Sequence, residues 1–395
     1  MLFQPRYRYR FMQMRLGIIA AIVLGAACSG GASSGISNGP AAASAPRNAA
    51  PSSPTASASS QDQFAVIFTS SGPAAPGGSI LTIVGQDGRS HGQTRIGDDV
   101  SPPPFASTTS DAVYYLNGQA LMRLQPGGTP VHIRDLPGSS SVRMAFAVSP
   151  DDKKIAIAIL TFATTSSSPS PTVPKYLGMK LFVEDLNGSN HVDIFSSNTV
   201  AEWPVGWHGS DLVIAVGAGP NGYGGSLIPD PYFAFAGIHV ADSATGQRKA
   251  TLCGGLPAVG LGTSKGILCA KENGLGPTTI TPVPMAFSDW SGKETDLGLS
   301  CINGGLQPAG DDIACDTDNG GFVVSPDGEK QPFPTPSGPG VGFGDSYSLV
   351  GWVGHNHLLL WSRAAPTVLY DIEAGTSQQV DVRPDAMVGA IPGGL

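Results

Sequence analysis

One stretch of this chain is repeated almost at once. Thr251-Leu252-Cys253-Gly254-Gly255 leads to Val259-Gly260-Leu261 and then to Gly266-Ile267-Leu268-Cys269-Ala270. Leu299-Ser300-Cys301 leads to Gly304-Gly305-Leu306-Gln307 and then to Asp312-Ile313-Ala314-Cys315-Asp316. The interval from Cys253 to Cys301 nearly equals that from Cys269 to Cys315. Short apolar runs between glycine turns cannot bury both of their faces within one such unit. The unit must stack on copies of itself, which constrains the fold to a repeat architecture.

The rest of the body follows the same period. Turn pairs recur at Asp87-Gly88, Gly127-Gly128, Asn187-Gly188, Thr245-Gly246, Ser291-Gly292, Asp327-Gly328 and Ala374-Gly375. These residue types accept positive φ in tight hairpins. Their mean spacing is about 48 residues, the length of a four-stranded propeller blade. Each turn is expected between the third and fourth strands of its unit. Runs apolar on both faces mark second strands sandwiched between sheets: Ala112–Tyr115, Ile155–Ile159, Leu212–Val216, Ile267–Ala270, Ile313–Cys315 and Leu358–Trp361. Val205-Gly206-Trp207, Val259-Gly260-Leu261 and Val350-Gly351-Trp352 read as inner strands, with glycine allowing close approach near a crowded axis.

The expected fold is therefore all-β: a single β-propeller over 63–395, with seven four-stranded blades as the best count and six or eight also compatible. The first copy, from Phe64 to Gly97, lacks an inner strand, while Met387–Ile391 is left over at the other end. This last strand is expected to complete the first blade and so remove a free sheet edge. With 53 glycines and 34 prolines, the chain disfavours long helices.

Phe146-Ala147-Val148-Ser149-Pro150-Asp151-Asp152-Lys153-Lys154-Ile155-Ala156 resembles the Ser-Pro-Asp-Gly-Lys-x-Ile-Ala repeat of TolB-like, WD40-like β-propellers. The resemblance implies that this Pro-Asp turn joins an inner strand to a second strand. It also implies protein–protein scaffolding in a cell envelope, and it carries over no catalytic residue.

The segment 1–27 carries Arg6, Arg8, Arg10 and Arg15, no acid, and the apolar run Leu16–Leu24. That run is short for a permanent membrane span and fits an export signal. Leu24-Gly25-Ala26-Ala27-Cys28 resembles a bacterial lipobox, with its leucine one position further from the cysteine than the pattern favours. It implies a signal peptide over 1–27 and a lipidated Cys28; an ordinary secretory signal cut near Ala27 is the alternative. The stretch 28–62 is small and polar and reads as a flexible tether. Without the four arginines of the signal, the 22 basic residues of the chain fall to 18, against 30 acidic ones. No basic stripe is present, which argues against nucleic acid as a partner.

Four cysteines remain in an exported body, which suggests disulfides. The repeat favours Cys253–Cys269 and Cys301–Cys315, each spanning a blade junction; buried thiols are the alternative. Three further strings have bland readings. His355-Asn356-His357 is a turn entering a strand rather than a metal pair. Asp316-Thr317-Asp318-Asn319-Gly320 is a hairpin rather than a calcium loop. Gly262-Thr263-Ser264-Lys265-Gly266 joins two strands and has no helix to make a nucleophile elbow.

No catalytic residue, cofactor or metal is nominated. The functional lead is a rim. Second-to-third-strand connections lengthen in three consecutive units, at Thr161–Lys175, Gly217–Ala236 and Asn273–Pro284, and must emerge on one face. The second carries Tyr223, Tyr232, Phe233 and Phe235, and Trp203 is expected to join them from a blade junction. The leading expectation is a non-catalytic, lipid-anchored envelope propeller that binds a protein or glycan through this rim. The alternatives are a secreted lyase or glycan hydrolase working in the central funnel, and a sensor that takes a ligand in the axial channel.

Overall fold

The computed structural model describes residues 63–70, 78–96, 106–138, 142–162, 176–217, 237–272, 275–276, 279–308, 311–318, 320–337, 341–342 and 345–395. The expected signal peptide over 1–27, Cys28 and the expected tether over 28–62 lie outside them, as do Tyr223, Tyr232, Phe233 and Phe235. Seven four-stranded antiparallel sheets form a ring. From axis to rim, blade 1 runs Ala386–Ile391, Phe64–Thr69, Ser79–Gly85 and Ser90–Ile96. Blade 2 runs Ala106–Thr108, Val113–Asn117, Ala120–Leu124 and Val131–Asp135. Blade 3 comprises Val142–Val148, Lys154–Phe162, Tyr176–Asp185 and Val192–Ser197; blade 4 comprises Glu202–His208, Asp211–Val216, Gly237–Asp242 and Arg248–Leu252. Ala258–Thr263, Gly266–Ala270, Val283–Asp289 and Glu294–Cys301 make blade 5. Gly304–Leu306, Ile313–Thr317, Gly320–Val324 and Lys330–Pro332 make blade 6, and Ser348–Val353, His357–Trp361, Val368–Asp371 and Thr376–Gln379 make blade 7.

The leftover C-terminal strand is the inner strand of blade 1. It pairs antiparallel with Phe64–Thr69, placing Phe64 opposite Ile391, Ala65 opposite Ala390 and, past a bulge, Ile67 opposite Met387. Burial follows the radial order of the strands. Gly266–Ala270 is buried throughout and Leu358–Leu360 is fully buried, whereas the outermost Thr376–Gln379 is exposed at every position. A strand covered on both faces needs apolar residues at every position, so the second strands carry no alternation.

All seven third-to-fourth-strand turns carry glycine at positive φ: Gly88, Gly127, Gly188, Gly246, Gly292, Gly328 and Gly375, between +65° and +89°. The Pro-Asp turn of blade 3 does join an inner strand to a second one. There Asp152 takes φ +58°, a conformation that costs a residue with a Cβ roughly 1–2 kcal/mol. The turn is held by Ser149, whose hydroxyl donates to Asp151 Oδ1 at 2.8 Å and accepts from the Lys154 amide at 2.9 Å.

Neighbouring blades meet most tightly at the axis. A Cβ on Gly260, which itself sits at φ +70°, would lie 2.3 Å from the Gly304 carbonyl oxygen of blade 6. A Cβ on Gly389 would lie 2.4 Å from Thr108 of blade 2. Tryptophan supplies the attraction where glycine supplies the room. Trp207 of blade 4 donates its indole N–H to the Ala147 carbonyl of blade 3 at 3.0 Å, and Trp352 of blade 7 donates to the Gly305 carbonyl of blade 6 at 2.9 Å.

Both expected cysteine pairs stand at bonding distance, with Cα–Cα separations of 5.2 Å for Cys253–Cys269 and 5.4 Å for Cys301–Cys315. Each ties one blade to the second strand of the next: Cys253 directly follows the fourth strand of blade 4, and Cys301 ends that of blade 5. The loops closed are short, so each bond contributes about 3 kcal/mol in the chain-entropy picture.

Two outcomes follow. Gly260→Ala should destabilise the body by more than about 3 kcal/mol, whereas Gly375→Ala, with open space around its Cβ, should cost about 1 kcal/mol; urea melts compare the two. Alkylation of the unreduced, unfolded body should label none of Cys253, Cys269, Cys301 and Cys315, and peptide mapping should recover 253–269 and 301–315 pairs; free thiols would contradict the pairing.

Candidate functional site

The inner strands surround a cavity of about 510 Å³ on the ring axis. Because adjacent strands alternate in direction, all seven inner strands begin on one face and end on the other. The second-to-third-strand connections share the face on which the inner strands begin. Inner-strand glycines that permit close packing also line the cavity, among them Gly260, Gly305 and Gly351. Beside them stand Val205, Leu261, Leu306, Val350, Met387 and Trp361.

The chain continues past Ile391 across the lower mouth, where the inner strands end. The Gly393 amide donates to the Thr109 carbonyl of blade 2 at 2.6 Å, and the Leu395 amide donates to the Trp207 carbonyl of blade 4 at 2.9 Å. His208 Nδ1 donates to the Leu395 carbonyl at 2.9 Å, and the Leu395 side chain packs beside Gly262. The His208 ring stacks on Trp290 of blade 5 at 5.0 Å, extending the same junction. Pro392–Leu395 is thus a strap spanning blades 1 to 5, which the sequence did not announce.

Among the described lining residues the titratable side chains are His355 and Asp385. Asp385 directly precedes an inner strand and His355 follows the end of another, so they sit at opposite mouths, roughly 15 Å of strand apart. Both are engaged. Asp385 Oδ2 accepts from the Ser70 amide and hydroxyl at 2.5 Å, and His355 Nε2 accepts from the Gln63 side-chain amide at 3.0 Å. Uncharged groups are similarly committed: Asn303 Nδ2 donates to the Leu349 carbonyl at 3.2 Å, and Ser107 Oγ accepts from the Val148 amide at 2.9 Å.

One buried carboxylate abuts the lining strands. Both oxygens of Asp316 in blade 6 face the Leu349 amide of blade 7, at 3.0 and 2.8 Å. Burial pushes its pKa up to about 7, and the amide hydrogen bond opposes the shift. Its role is therefore a blade-to-blade contact, consistent with the hairpin reading of 316–320, in which Thr317 pairs with Gly320. A second buried group lies in blade 4, where His239 Nε2 stands 3.9 Å from Glu202 Oε2 and Arg248 reaches Glu202 Oε1 at 3.8 Å. Burial pushes His239 down to about 4, which keeps it neutral near pH 7, and burial raises Glu202 while the Arg248 charge opposes that shift. Neither lines the axial cavity, and their separation in sequence gave no hint of the pairing.

The expected rim is placed in part. Trp203 does not belong to it: it is 2% exposed, on the inner strand of blade 4, within the core shared with blades 3 and 5. Alternation along Glu202–His208 points it into the sheet interface. The connection expected over Asn273–Pro284 ends earlier, because Val283 and Pro284 already belong to the third strand, and it contains a small hairpin of Leu275–Gly276 with Thr279–Ile280. His355-Asn356-His357 does enter a strand, with His357 Nε2 3.7 Å from Asp371. Ser264 and Lys265 form the turn between Thr263 and Gly266, which pair across it.

No protein-family model matches the chain, and no curated protein matches it. Among solved structures it is similar to an oligogalacturonate lyase in complex with manganese, at 12% identity and a TM-score of 0.45, covering 81% of this chain and 98% of that one. It is also similar to the uncomplexed acylaminoacyl peptidase of Pyrococcus horikoshii, at 10% identity and a TM-score of 0.48, covering 80% of this chain and 52% of that one. The β-propeller domain of the Trilobed protease from Pyrococcus furiosus is a third, at 11% identity and a TM-score of 0.42, covering 81% of this chain and 92% of that one.

Asp316 yields a pH prediction. Its folded pKa, about 7, lies above the ordinary 3.8, so the folded state holds this proton more tightly. The resulting stability is full below pH 4 and is lost as pH rises through 7, by about 4 kcal/mol. Asp316→Asn keeps an acceptor for Leu349 and removes the titration. The stability of the parent relative to this variant should fall between pH 4 and 8 and then level off; a difference independent of pH would contradict the assignment. The likeness to solved structures carries no activity across, and on its own sheet order the chain is a seven-bladed β-propeller.

Proposed function

We propose that this chain is a lipid-anchored envelope propeller of the TolB-like type that binds a protein or glycan partner, without catalysis, through loops on the face where its inner strands begin. The observation that carries the reading is topological. Blades 3, 4 and 5 are adjacent, and each has a long second-to-third-strand connection where blades 2 and 6 have two-residue turns. Adjacent insertions on a rigid ring build one wall, and binding tends to reside on loops held by such scaffolds. The aromatic-rich connection, with Tyr223, Tyr232, Phe233 and Phe235, lies in the middle blade of the three.

The charge distribution along the axis supports a binding role over acid–base work. Acid–base work by a pair of side chains requires both within reach of one substrate bond, and among the described lining residues only His355 and Asp385 titrate. His355 and Asp385 stand at opposite mouths, each already bonded. Envelope attachment rests on the lipobox-like Cys28 and the tether that follows it.

Deleting 218–236 should remove the envelope partners recovered by in-cell crosslinking while leaving the thermal midpoint of the body within a few degrees. Cys28→Ser should move the protein from the membrane fraction to the soluble one. An unchanged crosslinking profile would overturn the rim, and unchanged membrane retention would overturn the anchor.

A further inference from the structure

The axial cavity has the attributes of a binding cup rather than a packing defect. Its volume of about 510 Å³ lies within the roughly 300–1,000 Å³ that small-molecule sites occupy. Several wall positions on the inner strands are glycine, and neighbouring blades require it at Gly260, where a Cβ would lie 2.3 Å from the Gly304 carbonyl oxygen, and at Gly351, where it would lie 2.4 Å from Met387 Sδ. The space is therefore fixed by the ring and is not free to collapse.

The chemistry of the wall selects the occupant. The indole N–H groups of Trp207 and Trp352 are spent on neighbouring carbonyls, and Asn303 and Ser107 are spent on backbone groups. What remains for a guest is mostly Val205, Leu261, Leu306, Val350 and Met387, the Trp361 ring and glycine backbone, with the hydroxyls of Thr108, Ser264 and Ser348 as scattered neutral polar groups. A charged guest held between the mouths would lose its hydration with no ionic side chain beside it among the described lining residues, since Asp385 and His355 stand at the mouths. An apolar guest would displace poorly held water and gain contacts. The strap Pro392–Leu395 crosses the lower mouth and gives the cup a partial floor.

We infer that the axial cavity binds an uncharged, predominantly apolar small molecule within the inner-strand ring. The site is distinct from the rim loops, so either can fail without the other.

The test uses the full exported body and the neutral fluorophore N-phenyl-1-naphthylamine. Saturable one-to-one binding at micromolar concentration is expected. The anionic 1-anilinonaphthalene-8-sulfonate should bind at least ten-fold more weakly. Val350→Trp, which fills the cavity, should weaken the neutral probe at least ten-fold; Val131→Trp, on an exposed outer strand, should not. Should Val350→Trp fail to fold, Ser348→Phe at the cavity wall serves the same purpose, and folding of each variant is checked by its thermal midpoint. Absence of saturable binding, equal affinity for the two probes, or undiminished binding by a folded cavity-filled variant would each overturn the assignment.

Discussion

The ring depends on one pairing, between the two ends of the folded body. Phe64–Thr69 has no inner neighbour within its own stretch of chain, and Ala386–Ile391 has no blade of its own. Joined, they complete blade 1 and leave neither an edge. Bringing together segments from opposite ends of the body costs loop-closure entropy, but that cost grows only logarithmically with length. It is offset by a ladder of backbone hydrogen bonds and by burial of Ala65, Val66 and Ile67, all fully buried. Blades 2 to 7 pack on neighbours in sequence, so this pairing, with the packing of Ala65, Ile67 and Val84 on Val353, Leu359 and Leu369 of blade 7, makes the ring a closed object.

Closure brings inner strands into a crowded space, and two residue types resolve the crowding. Glycine removes the side chains that would collide, as at Gly260 and Gly389. Tryptophan, placed after Val-Gly at Trp207 and Trp352, reaches back to a carbonyl of the preceding blade. Blade 5 has Leu261 at that position; there Trp290 donates to the Thr263 carbonyl of its own blade at 2.9 Å and stacks on His208 instead. The same two choices explain the character of the axis. Glycine adds no side chain at several wall positions and tryptophan hides its polar atom, so the described wall between the mouths is uncharged and largely apolar, with Asp385 and His355 at the mouths.

Much of this was legible because local chemistry dictated it. Glycine at seven third-to-fourth-strand turns reports a requirement for positive φ that few residues meet, and the structure places it at each one. The second strands were readable from their lack of alternation, and the cysteine pairs from their recurrence. Trp203 was misread because an aromatic residue beside a loop looks the same in sequence whether its strand turns it outward or inward. The strap was not legible, since Pro-Gly-Gly-Leu carries no pattern and is held by backbone contacts to Thr109 and Trp207. Asp316 was read as part of a hairpin, correctly, but its bond to Leu349 depends on the juxtaposition of two blades. Asp152 occupies the glycine position of the Pro-Asp turn, and only the backbone reveals the positive φ it accepts.

Hydrogen exchange of the body over 63–395, followed by mass spectrometry, tests the closure most directly. If the terminal strand fastens the ring, peptides covering 64–69 and 386–391 will be protected together and will lose protection at the same denaturant concentration as the global transition. Exchange of 386–391 on the timescale of an unstructured tail, with 64–69 still protected, would contradict the account.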